Sequence, residues 1–250
     1  MKITLRSIMF AASLALPLPV MAAEFTDKQR VEIGEIVREY LLANPQVLED
    51  VSKELQARQE EAETRQRESA VSDNADELFR QKADLVVGNP KGDVTMVEFF
   101  DYNCGWCKKG LPEVLSLIES DKNLRVVLKE FPIFGGDSDY AAKAALASQA
   151  QGKYWNFHLA MMGHEGKLTA ANVDEIAVAQ GLDLSRLKKD MEAPDIAATI
   201  ARTAKLAQSM AIGGTPAFII DRKVIPGYLP KDGLAAAIDE VRKAGGCAVC

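Results

Sequence analysis

Apolar residues recur at helical intervals near the start of the chain: Val31, Ile33, Ile36, Val37, Tyr40 and Leu41, then Val47, Leu48, Val51 and Leu55. Thr26-Asp27-Lys28-Gln29 has the form of a capping box for the first of these helices. Asn44-Pro45 supplies an N-cap and a first-turn proline for the second. From Gln56 to about Ser69 the apolar stripe fades into polar helix formers, the pattern of a solvated helix bridging two parts of a molecule. The apolar faces before it have no obvious partner nearby in sequence, so residues 26–55 are expected to self-associate, the alternative being packing back on the rest of the chain. An amphipathic helix resumes over Asp76–Leu85, and Val86–Asp93, rich in turn residues, is expected to be a loop.

The pattern then changes period. Val94–Phe100 is an apolar strand that runs directly into Cys104-Gly105-Trp106-Cys107 and a helix, which Pro112 is expected to kink. Leu124–Phe131 is a second strand, stopped by Pro132 and Gly135-Gly136. Residues 138 to about 210 are helical throughout. Strand character returns in Ala217–Ile220 and Lys223–Ile225 around a turn at Asp221-Arg222, and a last helix runs from about Lys231 to Lys243. Strand–helix–strand, a helical block, then a hairpin and helix predicts an α/β domain over residues 76–243 with a helical insertion. Residues 24–75 form a helical segment and linker before it, and residues 244–250 a flexible tail after Gly245-Gly246.

Composition changes this picture little. The 250 residues are 48% hydrophobic, 26% charged and 6% aromatic with a net charge of −6, which argues against a nucleic-acid surface. Residues 1–23 change it more. Lys2 and Arg6 precede an apolar run from Ile8 to Val20 and a small-residue stretch at Val20–Ala23, the layout of a cleaved signal peptide. A membrane anchor is the weaker alternative, since the run is short and holds Pro17 and Pro19. Removing Lys2 and Arg6 leaves 28 basic against 36 acidic residues, a net charge of −8.

Export governs how the four cysteines are read. All fall into two Cys-x-x-Cys pairs, 104/107 and 247/250, and outside the cytosol such a pair is either structural or a disulfide-exchange centre. A two-residue spacer closes too small a loop to constrain the unfolded chain much, so stapling is a poor use for either. The strand before and helix after put Cys104 at a helix N-terminus, where unpaired N–H groups and the helix dipole favour a thiolate. Cys107, one turn on, is within reach to close a disulfide; a structural bridge or half a zinc site are the alternatives. Pro216, after Gly213-Gly214-Thr215 and opening an apolar strand, is a candidate cis-proline. His158 sits among Tyr154, Trp155, Phe157 and Met161 at helical spacing, a core pattern, and His164 lies in a glycine-flanked turn; neither reads as a metal ligand.

With Phe99-Phe100-Asp101-Tyr102-Asn103-Cys104-Gly105-Trp106-Cys107-Lys108 and Gly213-Gly214-Thr215-Pro216-Ala217-Phe218, the sequence resembles the thioredoxin-fold thiol–disulfide oxidoreductases of the DsbA superfamily, in particular the ScsC-like and Com1-like periplasmic proteins. The resemblance implies a thioredoxin fold with an inserted helical domain. It makes Cys104 the nucleophile, Cys107 the resolving cysteine, Gly105-Trp106 the dipeptide that tunes the thiolate, and Thr215-Pro216 the cis-proline loop that holds the substrate backbone. Glu98 matches the family's buried acid, which relays a proton to or from Cys107, unless it is an exposed edge residue; Lys129 on the neighbouring strand is a candidate partner for it.

No metal or other cofactor is implied. Implied partners are proteins with cysteines or disulfides, a membrane redox partner (a DsbD-like donor, or a DsbB-like acceptor for an oxidase), and further copies of the chain in a homotrimer through residues 26–55. Threonine at position 215 and the helical segment favour isomerase or reductase over oxidase. A copper-handling protein or a chaperone on the same scaffold is a reading from a different class. Cys247-Ala248-Val249-Cys250 departs from the family pattern. It is open to three readings: a mobile dithiol exchanging with Cys104–Cys107, a soft-metal clamp suited to Cu(I), or a disulfide without catalytic consequence.

Overall fold

A computed structural model describes residues 25–250. The signal peptide expected at residues 1–23 lies outside the described residues. The described residues divide after Ala57 into two compact units, the second being residues 58–250.

In the first unit, helix α1 (Asp27–Ala43) starts at Thr26 through the expected capping box, closed by Gln29. It buries none of its residues: Val31, Ile36 and Tyr40 are exposed. Helix α2 runs Gln46–Asp73, and Leu48, Val51 and Leu55 on it are exposed as well. Asn44 does not cap α2 as the sequence suggested. Its side-chain amide and its backbone N–H both donate to the Tyr40 carbonyl, so it ends α1 instead. An Asn side chain is short enough to satisfy the orphan carbonyls of the helix it follows, and here that demand wins.

The second unit is built on a five-stranded sheet, ordered β1 (Leu85–Gly88), β3 (Leu124–Glu130), β2 (Val94–Phe100), β4 (Ala217–Ile220), β5 (Lys223–Pro226). β2 and β3 are parallel and the other pairs antiparallel. All seven residues of β2 are buried, which is why its sequence is mostly apolar on both faces, with only Thr95 and Glu98 polar, rather than alternating. One face packs Met96, Phe100, Val126 and Leu128 against helices α4 (Gly105–Ser120) and α10 (Lys231–Lys243) and the helical block. The other packs Val97, Phe99 and Val127 against Val71 of α2, Leu78 and Phe79 of the short helix α3 (Ala75–Phe79), and Leu206 and Met210. Between β3 and β4 lie α5 (Gly136–Ser148), α6 (Tyr154–Met162), α7 (Ala170–Ala179), α8 (Leu184–Met191) and α9 (Pro194–Ser209).

Three expectations change. The helix expected over Asp76–Leu85 is only α3, and the loop expected at Val86-Val87-Gly88 is the last part of β1. β1 is an edge strand, half-buried and four residues long, so it lacks a two-faced pattern. Gly88 belongs to it for a packing reason: its φ is +74°, and a Cβ there would lie 2.6 Å from the Leu124 carbonyl oxygen. The helical segment also does not end outside the second unit, because Val71 on α2 is fully buried in its core. Finally, residues 247–250 are not a free tail. Cys247 and Cys250 are disulfide-bonded, and Val249 and Cys250 pack against the second core cluster. The sequence showed two glycines but not what waits beyond them.

Candidate active site

Cys104 is the N-cap of α4, and its Sγ accepts the backbone N–H of Cys107 at 3.4 Å. The loop that delivers it is tied down by Asp101. One oxygen of that buried carboxylate accepts the Asn103 N–H (2.7 Å) and the Ser138 hydroxyl (2.7 Å). The other accepts the N–H groups of Ile133 (2.7 Å) and Phe134 (3.2 Å). Asn103 then donates to the Leu168 carbonyl and accepts its N–H, joining the active-site loop to the helical block. Lys108 adds a second tie, donating to the carbonyls of His164 (2.6 Å) and Gly166 (2.9 Å). Asp101, Asn103 and Lys108 were not singled out from the sequence. The spacing of an Asx-type turn before the Cys-x-x-Cys was the available signal.

The Thr215–Pro216 peptide is cis. The loop brings the Thr215 carbonyl to 3.2 Å from Cys104 Sγ, across 111 positions of sequence. Its placement is fixed by the Gly227 N–H, which donates to the Pro216 carbonyl at 2.9 Å. The Thr215 hydroxyl oxygen is buried without a hydrogen-bond partner, and so is free to turn a proton toward a thiolate at Cys104.

These contacts set the electrostatics. The Cys104 thiol is lowered to about 6, chiefly by the hydrogen bond from the Cys107 side chain, then by the Thr215 side chain and the N–H groups of Cys107 and Trp106; burial opposes them. Cys104 is 3% exposed. Burial and the Cys104 thiolate push the Cys107 thiol well above its ordinary range, so it stays protonated. The pair is thus split into one anionic sulfur and one neutral one. Beside it, Trp106 is 56% exposed, its ring 5.4 Å from that of Tyr228, with Lys109 Nζ 4.7 Å above the indole. Tyr228 was another residue the sequence did not single out.

Glu98 is 5% exposed, and not an edge residue. It pairs with Leu128 on one side and Phe218 on the other. It therefore shares a face with Met96 and Phe100, the face that carries both active-site cysteines. Burial, and secondly the Cys104 charge, raise its carboxyl to about 8. At neutral pH it holds a proton; when ionised, its charge raises the Cys107 thiol further.

Lys129 is a correction. It pairs in register with Phe99, one position from Glu98's partner, so it points to the opposite face. There it forms a buried ion pair with Asp84 and donates to the Glu77 carbonyl. Burial is the main influence on both partners, raising Asp84 and lowering Lys129.

His158 is buried, stacked on Trp155, with Nδ1 3.0 Å from the Tyr102 hydroxyl. Tyr102 and Tyr154 both donate to the buried Glu130 carboxyl.

Glu98→Gln is predicted to act in two ways. It removes the proton relay, so resolution by Cys107 slows by about 10²-fold at pH 7 in stopped-flow, while the first attack by Cys104 changes little. It also changes stability. A carboxyl raised from 4.5 to about 8 contributes stability that is fully present below 4.5 and lost as pH rises to about 8. The glutamine chain should therefore melt higher than the parent at pH 8 and no higher at pH 4.

A sheet of this order with a Cys-x-x-Cys at the N-terminus of α4 and a cis-proline loop against it defines a thioredoxin-like protein with a helical insertion. Residues 95–239 match the family model for the DSBA-like thioredoxin domain, and the chain belongs to that family. Residues 29–62 match the model for the copper resistance protein ScsC N-terminal domain.

Among solved structures, a thioredoxin-like oxidoreductase from Silicibacter pomeroyi is 47% identical, covering 67% of this chain and 97% of that one with a TM-score of 0.66. BcfH from Salmonella enterica Typhimurium is 31% identical, covering 85% of this chain and 96% of that one with a TM-score of 0.72. A curated relative, the Na(+)/H(+) antiporter NhaA 1 of Salinispora arenicola, is 30% identical over 157 residues, and the match spans only 24% of its length.

Proposed function

We propose that the chain is an exported thiol–disulfide oxidoreductase that acts on protein disulfides, in the isomerase or reductase direction. The observation that carries the exchange chemistry is the asymmetric cysteine pair: a thiol lowered to about 6 on Cys104, held against the cis-proline loop, beside a buried, protonated Cys107.

The Cys104 thiolate attacks a substrate disulfide, forming a mixed disulfide and releasing one substrate sulfur as thiolate. The substrate main chain lies along Thr215-Pro216 as an added strand. With the Cys104 charge consumed in the mixed disulfide, Glu98 releases its proton to solvent and takes the proton of Cys107, whose sulfur then displaces the substrate, leaving Cys104–Cys107 oxidised and the substrate reduced. Where a substrate thiolate displaces Cys104 first, the result is isomerisation. A DsbD-like membrane donor would return two electrons to the oxidised pair.

The site works beyond the cytosol, in the periplasm, after removal of residues 1–23. Exposed apolar faces on α1 and α2 support a homotrimer through residues 26–55, which would set several cysteine pairs around one client. The match to an ScsC N-terminal domain over residues 29–62 supports the same reading. The oxidase reading rests on the Cys104 thiol itself, since a stabilised thiolate makes the disulfide a better oxidant.

The redox state of Cys104 and Cys107 in the export compartment, trapped by rapid alkylation, separates the two. A reduced pair is expected; a fully oxidised pair would mean an oxidase with a DsbB-like acceptor.

A further inference from the structure

The Cys247–Cys250 disulfide does not lie near Cys104. Cys250 Sγ is 3.7 Å from the carbonyl of Thr95, at the start of β2, whereas Cys104 follows its far end, and the two pairs pack against opposite faces of the sheet. Exchange between them within one chain is therefore excluded while the tail is docked.

The docking is specific. Asp221, in the turn between β4 and β5 with φ of 52°, accepts the N–H groups of Ala248 (2.7 Å) and Val249 (3.2 Å) on one carboxylate oxygen. Cys247 Sγ lies 3.4 Å from that oxygen. The Cys250 N–H points at Cys247 Sγ at 3.2 Å, and the Arg80 guanidinium donates to the Val249 carbonyl at 3.0 Å. Among the described residues, Asp221, Cys247 and Cys250 form a group of three ligand-type side chains with donor atoms all within 4.8 Å of one another.

We propose that reduction of the Cys247–Cys250 disulfide turns these three residues into a site for a thiophilic divalent cation of the zinc class. Two thiolates and one carboxylate are a donor set such a cation accepts, with its remaining position left to water. Tetrahedral bonds of about 2.3 Å to sulfur and 2.0–2.2 Å to oxygen place the donors roughly 3.5–3.8 Å apart, so the cluster needs only a small adjustment. The Cα atoms of Cys247 and Cys250 are 5.7 Å apart, and the Cys250 N–H is placed to stabilise the charge that the Cys247 sulfur carries once reduced and deprotonated.

The step balances. A dithiol reductant gives two electrons and two protons to the disulfide and becomes a disulfide itself. The cation then displaces both thiol protons to solvent. Reoxidation by a disulfide, which takes the two electrons and becomes a dithiol, releases the ion, so the second pair is a redox-gated metal site rather than a second exchange centre.

The test is zinc titration of the full chain carrying Cys104→Ser and Cys107→Ser, which keeps the exchange site out of the measurement and makes its result independent of the proposed activity. With the C-terminal pair reduced by a phosphine under anaerobic conditions, one equivalent of Zn2+ should bind. The disulfide form should bind none. Asp221→Asn, which keeps the turn and the backbone hydrogen bonds, should weaken binding of the reduced form at least tenfold. No binding by the reduced chain, equal binding by the oxidised chain, or undiminished binding by Asp221→Asn would each overturn the proposal.

Discussion

Cys104→Ser will abolish turnover in the refolding of a scrambled disulfide protein, by about 10³-fold or more, because no other group in the site supplies the attacking sulfur. A serine hydroxyl at the N-cap keeps the hydrogen bond to α4, so the fold should survive and the loss will be chemical. The intact chain should show the complementary pH dependence. Its attack rate depends on the thiolate fraction, so it should be flat above about 6 and fall about tenfold per unit below it. A stability difference goes with it. A thiol lowered from 9.0 to about 6 contributes stability to the reduced chain that is present above 9 and lost as pH falls to about 6. The disulfide form has no such contribution, so reduced and oxidised melting curves should separate progressively between those pH values.

The second large effect concerns assembly. Removing residues 25–57 should convert the chain to a monomer by sedimentation, because it deletes α1 and the exposed apolar positions Leu48, Val51 and Leu55. The cut belongs there and not at residue 75, because Val71 is a buried part of the catalytic core. The monomer should still oxidise a reduced peptide at close to the parent rate. Its isomerase activity should fall by tenfold or more, since a client released from one site no longer meets a second at high effective concentration. A full-length chain that sediments as a monomer would contradict this account of the helical segment.

How far the sequence carried this reading depended on how much each feature is local. β2, α4 and the cysteine spacing follow from one uninterrupted stretch, and the largely apolar β2 announces a central buried strand. Position 98 was legible as a buried acid only through the family resemblance, because the strand's own pattern left an exposed edge position open. Lys129 was not. Its neighbourhood depends on strand register, and a shift of one residue carries it from Glu98's face to that of Asp84. β1 escaped because an edge strand ending in a positive-φ glycine has the composition of a loop. Asp221 could not be linked to Cys247 from sequence at all, because only the closing of the β4–β5 hairpin and the return of the last helix bring them together. Asp101 and Asn103 were in view within the motif, yet their partners Ile133, Ser138 and Leu168 lie far along the chain.

The central claim is that Cys104 is the sulfur that meets the substrate while Cys107 resolves. It is tested by mixing the Cys107→Ser chain with a disulfide-bonded client and mapping the trapped adduct by mass spectrometry. A stable mixed disulfide on Cys104, with Cys247 and Cys250 still joined to each other, is the result the account predicts. An adduct on Cys247 or Cys250, or no adduct at all, would contradict it.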